Sequence, residues 1–204
     1  MPHAPFYLAS ASPRRLELLR QAGFEPSLLR LAAGRVVDET PLPGEPPLVY
    51  VKRLAHQKAL AGVAELAATG LAAAPVLGAD TTVALGAEIF GKPADADEAV
   101  AMLSRLSGRE HQVLTAVALA EGQRVDLRIS VSRVRFAHLD AAQVRAYAAS
   151  GEPLDKAGAY GIQGRAGCFV ERLEGSYSGV MGLPLFETAD LLAQAGIVNW
   201  KRDA

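Results

Sequence analysis

The chain is predicted to be a mixed α/β protein built on one long, strongly twisted sheet flanked by helices. Three observations predict it. Short apolar strands alternate with amphipathic helices through the first half; two long alternating segments meet at "EGQ" as an antiparallel hairpin; and no internal repeat, low-complexity tract or long linker divides the 204 residues.

The elements follow in order. "FYLAS" reads as a strand that leads into a helix, with Ser12 as N-cap, Pro13 at the first helical position, Leu16 and Leu19 on its apolar side and Gly23 as its stop. An apolar stretch, "PSLLRLAA", precedes the acidic loop "GRVVDETPLPGEPP", whose prolines and glycines oppose regular structure. A helix is expected over 48–68, with Val51, Leu54, Ala55, Ala59, Val63 and Leu66 as its apolar stripe and Arg53, Gln57 and Lys58 on or near its other faces. "APVLGADTTVAL" is a strand and "GAEIF" its short hairpin partner. Asp95, with Glu98 three places on, opens the next helix in a capping-box pattern, and Gly108 closes it. After the hairpin of "HQVLTAVALA" and "RVDLRISVSRVRFA" come a helix over 140–150, a glycine-rich loop, the strand "CFVERLEG" and a closing helix after Pro184.

Composition narrows the function classes. Half the residues are hydrophobic and about a fifth charged, the balance of an ordinary globular chain long enough for one good core or two lobes sharing one. Lys and Arg number 21 against 22 Asp and Glu, so the basic excess of a nucleic-acid or membrane-surface binder is missing and any bound anion is expected to be small. The single cysteine, Cys168, rules out an intramolecular disulfide, suits a reducing compartment and reads as a core thiol beside Phe169 and Val170. The chain has neither an apolar run of about 20 residues nor a leader pattern, which makes a soluble, cytoplasmic protein the expectation.

Two arginines stand directly behind a proline in "LASASPRRLELL". Arg14 and Arg15 fall in the first helical turn, where unpaired backbone N–H groups and the positive end of the macrodipole already gather. Such a turn is either a phosphate site or a surface helix start with two solvated arginines. His3, His56, His111 and His138 are scattered, without metal-type spacing or a serine or cysteine partner. Gly158, Gly161, Gly164 and Gly167 recur every third position. They lack the strand of a dinucleotide fingerprint and the Gly-Lys-Ser/Thr of a P-loop, and a plain turn would also explain them.

What remains are acids and bases at loop and strand ends: Asp38, Glu39, Asp80, Lys92, Asp155 and Lys156. Asp80 closes the buried "VLGA" and needs a matched partner there. It either caps the hairpin turn through Thr81 or Thr82, or holds a metal or a water. Lys92 precedes a proline, so its backbone is extended and "GAEIF" can return it near Asp80; taken alone it is a solvated loop lysine, and Glu39 taken alone a wet loop acid.

Together these stretches resemble the Maf family of nucleotide pyrophosphatases over almost the whole chain. "LASASPRRLELL", "VDET", "YVKRLAHQKA", "LGADTTV", "GKPADADEAVAMLSRLSG", "DKAGAYGIQG" and "GLPL" stand in the family's order at fitting separations. The resemblance implies one domain over 1–204, elongated, with two lobes and a cleft between them, often paired as a homodimer. It implies hydrolysis of a nucleoside triphosphate between the α and β phosphates with a divalent metal. Asp80 would be the proton acceptor, Glu39 a metal-binding acid with Asp80, and Ser10, Ser12, Arg14, Arg15, Lys58 and Lys92 would line the phosphate cleft. The reaction suits such a set, because charge builds on the phosphoryl oxygens and the departing pyrophosphate. Hard carboxylate oxygens favour magnesium or manganese over zinc.

The chain is similar to the family's dTTP/UTP branch in its paired arginines, in Thr81 after Asp80 and in Gln163 of "YGIQG". The branch acting on 7-methyl-GTP differs in having an aromatic insertion after the Ser-Pro turn, Gln after the Asp, and an acid in place of the glutamine. A glutamine amide can pair with the carbonyl and N–H edge of uracil or thymine. One departure is Ser176, where many members carry Asp; it puts in doubt any role for an acid there. Modified pyrimidine nucleoside triphosphates belong to the same expectation, and the main alternative within enzymes is a broader house-cleaning pyrophosphatase for them, with dTTP only a convenient substrate. A nucleotide-binding regulator of cell division without turnover is the alternative from another class, and it has no use for a buried water-activating acid.

Overall fold

The computed structural model describes residues 5–199. One seven-stranded mixed sheet carries the fold. It is built from β1 (Tyr7–Leu8), β2 (Ser27–Leu28), β3 (Val76–Leu85), β4 (Glu88–Phe90), β5 (Glu110–Glu121), β6 (Arg124–Phe136) and β7 (Val170–Glu174). The order is β2-β1-β3-β5-β6-β7, with β4 on β3 outside that path. β1 runs parallel to β2 and β3, and the remaining pairs are antiparallel. The helices are α1 (Pro13–Gln21), α2 (Pro47–Thr69), α3 (Ala96–Leu106), α4 (Ala141–Ala148), α5 (Tyr177–Met181) and α6 (Leu185–Gln194).

The register opens a window in the sheet. β5 covers one side of β3 from Val76 to Ala84, but the other side is shared: β1 takes Val76 and Leu77, and β4 takes Val83 to Leu85. Residues 78–82 face neither strand. The chain leaving β1 turns into α1 beside this window, and the chain leaving β4 turns through Gly91 and Lys92 at its other end.

Alternation along the strands assigns the two faces. On one face α2 buries Val51, Leu54, Ala55 and Ala59 against Ala84 of β3 and Leu114, Ala116 and Ala118 of β5. Gly78 permits this approach, since a Cβ there would come within 2.5 Å of the Ala59 amide nitrogen and 2.8 Å of the Ala55 carbonyl oxygen. The opposite face holds two apolar cores. Leu77, Ala79, Val117 and Leu119 meet Leu18 and Leu19 of α1 and Leu191 and Leu192 of α6. Further along, Val83, Val113, Val134 and Phe136 meet Leu103 and Leu106 of α3, Val144 and Tyr147 of α4, and Tyr160. Between the two cores runs a row of hydroxyls in register, Thr81, Thr115 and Ser130.

Local expectations hold with instructive exceptions. Asp95 accepts from Glu98 N–H, but the Glu98 side chain reaches back to Ala94 N–H, so the box closes one residue early. Asp140 and Gln143 complete a true box at α4. Ser12 takes the N-cap position of α1 without a side-chain capping bond; its N–H donates to Ser10 Oγ. The long loop starts with a 3-10 turn over Ala33–Arg35, and α5 is an element that the glycines of "EGSYSGVMG" hid. Ser176 is its N-cap, accepting from Gly179 N–H at 2.9 Å, a position that serine and aspartate fill alike. Cys168 is exposed rather than a core thiol, because its 3-10 turn buries Ala166 instead. His3 lies outside the described residues, and His111 is buried with Nε2 2.9 Å from Tyr160 Oη.

Candidate active site

Asp80 is 5% exposed and sits on the α2 face of β3 at the window. Its Oδ1 accepts from Lys58 Nζ at 2.6 Å, and the same nitrogen donates to Glu39 Oε1 at 2.5 Å. Lys58 therefore lies on the sheet side of α2, contrary to the apolar-stripe reading: three and four places on from Ala55 and Leu54, it is in step with them. The turn-capping alternative for Asp80 gives way to this ion pair. Burial is the largest influence on the Asp80 carboxyl and raises its pKa; Lys58 and Arg15 pull it down, Glu39 adds to the rise, and the net is upward. Burial pushes Glu39 up as well, but Lys58, Lys92 and Arg15 outweigh it and its pKa is lowered. Lys92 Nζ stands 3.7 Å from Glu39 Oε2.

Arg15 borders the same site from the α1 turn. Its Nε donates to Gly182 O at 2.8 Å, Nη1 to Ser10 Oγ at 3.2 Å and Nη2 to Thr81 Oγ1 at 3.3 Å. Burial lowers its pKa from the ordinary 12.5, with Asp80 and Glu39 opposing. Arg14 pairs with Asp155 Oδ2 at 3.1 Å, which ties the glycine-rich loop to α1. Gly158 N–H donates to Gly91 O, docking that loop against the Lys92 turn as well. Gly158 is at φ +69° and its Cβ would lie 2.8 Å from Val83, so this glycine is a requirement of close approach rather than of flexibility.

Glu39, Lys58, Asp80 and Lys92 form one ion-paired set and Ser10, Arg15 and Thr81 a second hydrogen-bonded one beside it, near enough for the Arg15 charge to act on both carboxylates: three cations against two carboxylates. Ser12 is tied to the second set through Ser10, whereas Arg14 is paired with Asp155 of the glycine-rich loop. Gln163 is exposed on the docked loop, outside both sets. Among the described residues no three His, Cys, Asp or Glu side chains converge as a metal cluster.

Residues beyond the expected set hold the Glu39 loop in place. Tyr50 Oη donates to Glu39 O at 2.8 Å, and burial, then Asp80 and Glu39, push the phenol up to about 12, keeping it a donor. Arg53 donates to both oxygens of Glu45, each at 2.6 Å, and to Thr40 O. Buried Glu65 accepts from Ala32 N–H and Arg35 at the root of the loop. The signal for Tyr50 and Arg53 lay in "YVKR", one turn apart on the helix that carries Lys58.

The fold and site define a mixed α/β protein with a cation-lined acidic site set in a gap of its sheet. The chain belongs to the Maf family: the family model described as Maf-like protein matches residues 5–195. It is 57% identical over 198 residues to a dTTP/UTP pyrophosphatase of Aromatoleum aromaticum, covering 95% of this chain and 96% of that protein. It is 55% identical to a dTTP/UTP pyrophosphatase of Ralstonia nicotianae, covering 96% of each chain. A dTTP/UTP pyrophosphatase of Chromobacterium violaceum is 53% identical, covering 93% of this chain and 94% of its own. No described helix is long and apolar enough to cross a membrane.

Proposed function

We propose that the chain hydrolyses dTTP and UTP to the nucleoside monophosphate and pyrophosphate. One observation carries the mechanism: a buried carboxylate with a raised pKa, Asp80, is held at Oδ1 by Lys58 in a gap bordered by phosphate-binding cations. Asp80 accepts a proton from the attacking water. As the water oxygen bonds to the α phosphorus, the bond from that phosphorus to the bridging oxygen breaks, and its electron pair leaves with pyrophosphate. Arg15, Lys58 and Lys92 offset the charge that gathers on the phosphates, with Arg14, Ser10 and Ser12 at the α1 turn completing the cradle. Thr81 serves the substrate by holding Arg15.

A divalent cation, magnesium or manganese, suits this donor set. Glu39 and Asp80 offer hard carboxylate oxygens 2.5 and 2.6 Å from one lysine nitrogen, and magnesium is commonly held by one or two carboxylates plus substrate phosphates. Bound there by Glu39 and Asp80, it would supply further charge neutralisation at the phosphates. The two apolar cores on either side of the hydroxyl row support one domain of two lobes over 1–204, with substrate in the cleft between them. Gln163 reads the pyrimidine edge from the docked loop. A cytoplasmic location and pairing as a homodimer complete the reading, and fractionation and light scattering test them.

The deciding experiment follows pyrophosphate release from UTP by wild type and Asp80→Asn, with nucleotide affinity from calorimetry. The substitution is expected to lower turnover at least about a hundredfold with affinity preserved, the scale of a lost general base. Turnover within a fewfold of wild type removes Asp80 from the mechanism. Tight binding by wild type without pyrophosphate release would favour the regulator instead.

A further inference from the structure

The hydrogens around Arg15 can be counted. Thr115, 1% exposed, has its Oγ1 2.7 Å from Gly179 O and 3.0 Å from Thr81 Oγ1. A hydroxyl has one hydrogen and a carbonyl oxygen can only accept, so the Thr115 hydrogen goes to Gly179 O. The contact between the two threonines must then be made by the Thr81 hydrogen. Arg15 Nη2 can only donate, so Thr81 Oγ1 receives it on a lone pair. The chain of donors has a single sense: Arg15 to Thr81, Thr81 to Thr115, Thr115 to Gly179. Of the five N–H groups of the guanidinium, three are taken by Gly182 O, Ser10 Oγ and Thr81 Oγ1, one on each nitrogen. One N–H remains on each terminal nitrogen, two donors left for the oxygens of a phosphate.

We propose that Thr115 is a positioning residue for the triphosphate. By taking the Thr81 hydrogen it prevents Thr81 from turning an O–H towards Arg15, and so fixes the guanidinium with its two remaining N–H groups aimed at substrate. Thr115 touches no substrate itself. The strand register that sets Thr115 opposite Thr81 is what creates the relay. The proposal rests on reading Arg15 as a phosphate ligand.

Steady-state kinetics with UTP test it on Thr115→Val, Thr115→Ser, Arg15→Lys and the double variant Arg15→Lys/Thr115→Val, with Thr115→Ala as a second hydroxyl-free variant should the valine fail to fold. Losing one aligned hydrogen bond is expected to raise the UTP KM about five- to tenfold. The kcat should change less than about twofold, and inhibition by uridine, which has no phosphate, should be unchanged. Thr115→Ser, which keeps the hydroxyl, should restore the KM. In the Arg15→Lys background Thr115→Val should add less than about twofold, because the group it positions is gone. An unchanged KM in both hydroxyl-free variants, a serine variant as impaired as valine, or an equal effect in both backgrounds overturns the proposal. If Arg15→Lys itself leaves the UTP KM unchanged, the phosphate role of Arg15 falls and this proposal with it. A raised KM in Arg15→Lys beside an unchanged one in Thr115→Val overturns this proposal only.

Discussion

Replacing Lys58 by methionine keeps the volume of the side chain and removes the charge between Asp80 and Glu39. The Asp80 and Lys58 side chains are 8% and 16% exposed and 2.6 Å apart, so their attraction is poorly screened. Two unit charges about 4 Å apart attract by about 4 kcal/mol at an effective dielectric of about 20, and each pKa unit corresponds to about 1.4 kcal/mol. Arg15 still attracts the carboxylate and water can enter beside methionine, which leaves an expected rise of about 1 to 3 units. Burial already holds Asp80 above its ordinary value, and the loss of Lys58 moves it further in the same direction. A general base must be ionised to work, so the acid limb of kcat/KM against pH for UTP should move to higher pH by that amount. Stability has the matching sign. A carboxyl raised in the fold binds protons more readily there than in the unfolded chain, so its contribution is present at low pH and is lost as pH rises through the folded pKa. The Tm of Lys58→Met should accordingly fall with rising pH across that window, more steeply than that of wild type. An acid limb within about 0.3 units of wild type would refute Asp80 as the base that Lys58 holds ionised.

Arg14→Ala should weaken UTP binding about tenfold and uridine binding less than about twofold; its ion pair with exposed Asp155 contributes only about 0–1 kcal/mol, so phosphate displaces it readily, and equal losses for both ligands count against the contact. UTP should be preferred to CTP at least about tenfold in kcat/KM, since a mismatched polar edge costs about 1–3 kcal/mol per unpaired group, and Gln163→Glu should erode that preference; equal efficiency on CTP or GTP makes the glutamine a structural residue. Burial pushes His111 down from 6.5 to about 4, so the fold keeps it neutral while the unfolded chain takes up a proton. Stability should therefore be lost as pH falls from about 6.5 towards about 4, by about 3 kcal/mol from this residue. Urea midpoints should show a shallower loss in His111→Gln, and identical slopes in both proteins would refute the assignment.

Much of the fold was legible in the sequence because its signals are local. The β5–β6 hairpin follows from alternation around "EGQ", α4 from Asp140 and α3 from Asp95, each set by residues within one or two turns of one another. The motifs also named most of the site, down to the acid, the arginines and the lysines. The sequence could not show that Lys58 stands between Glu39 and Asp80, residues 19 and 22 positions away. That convergence needs α2 to lie directly on β3, which depends on the missing Cβ of Gly78, two positions from Asp80 on the strand but 20 positions from Lys58 and 39 from Glu39. Nor could it show that β3 is left open on one edge at 78–82, because pairing lengths are decided by where β1 and β4 end against a third strand. Composition and periodicity thus determined most of the elements and the kind of chemistry available. Strand register and helix docking decided which of those groups meet, since both are settled by contacts between residues distant in sequence, and periodicity within a segment carries no information about them.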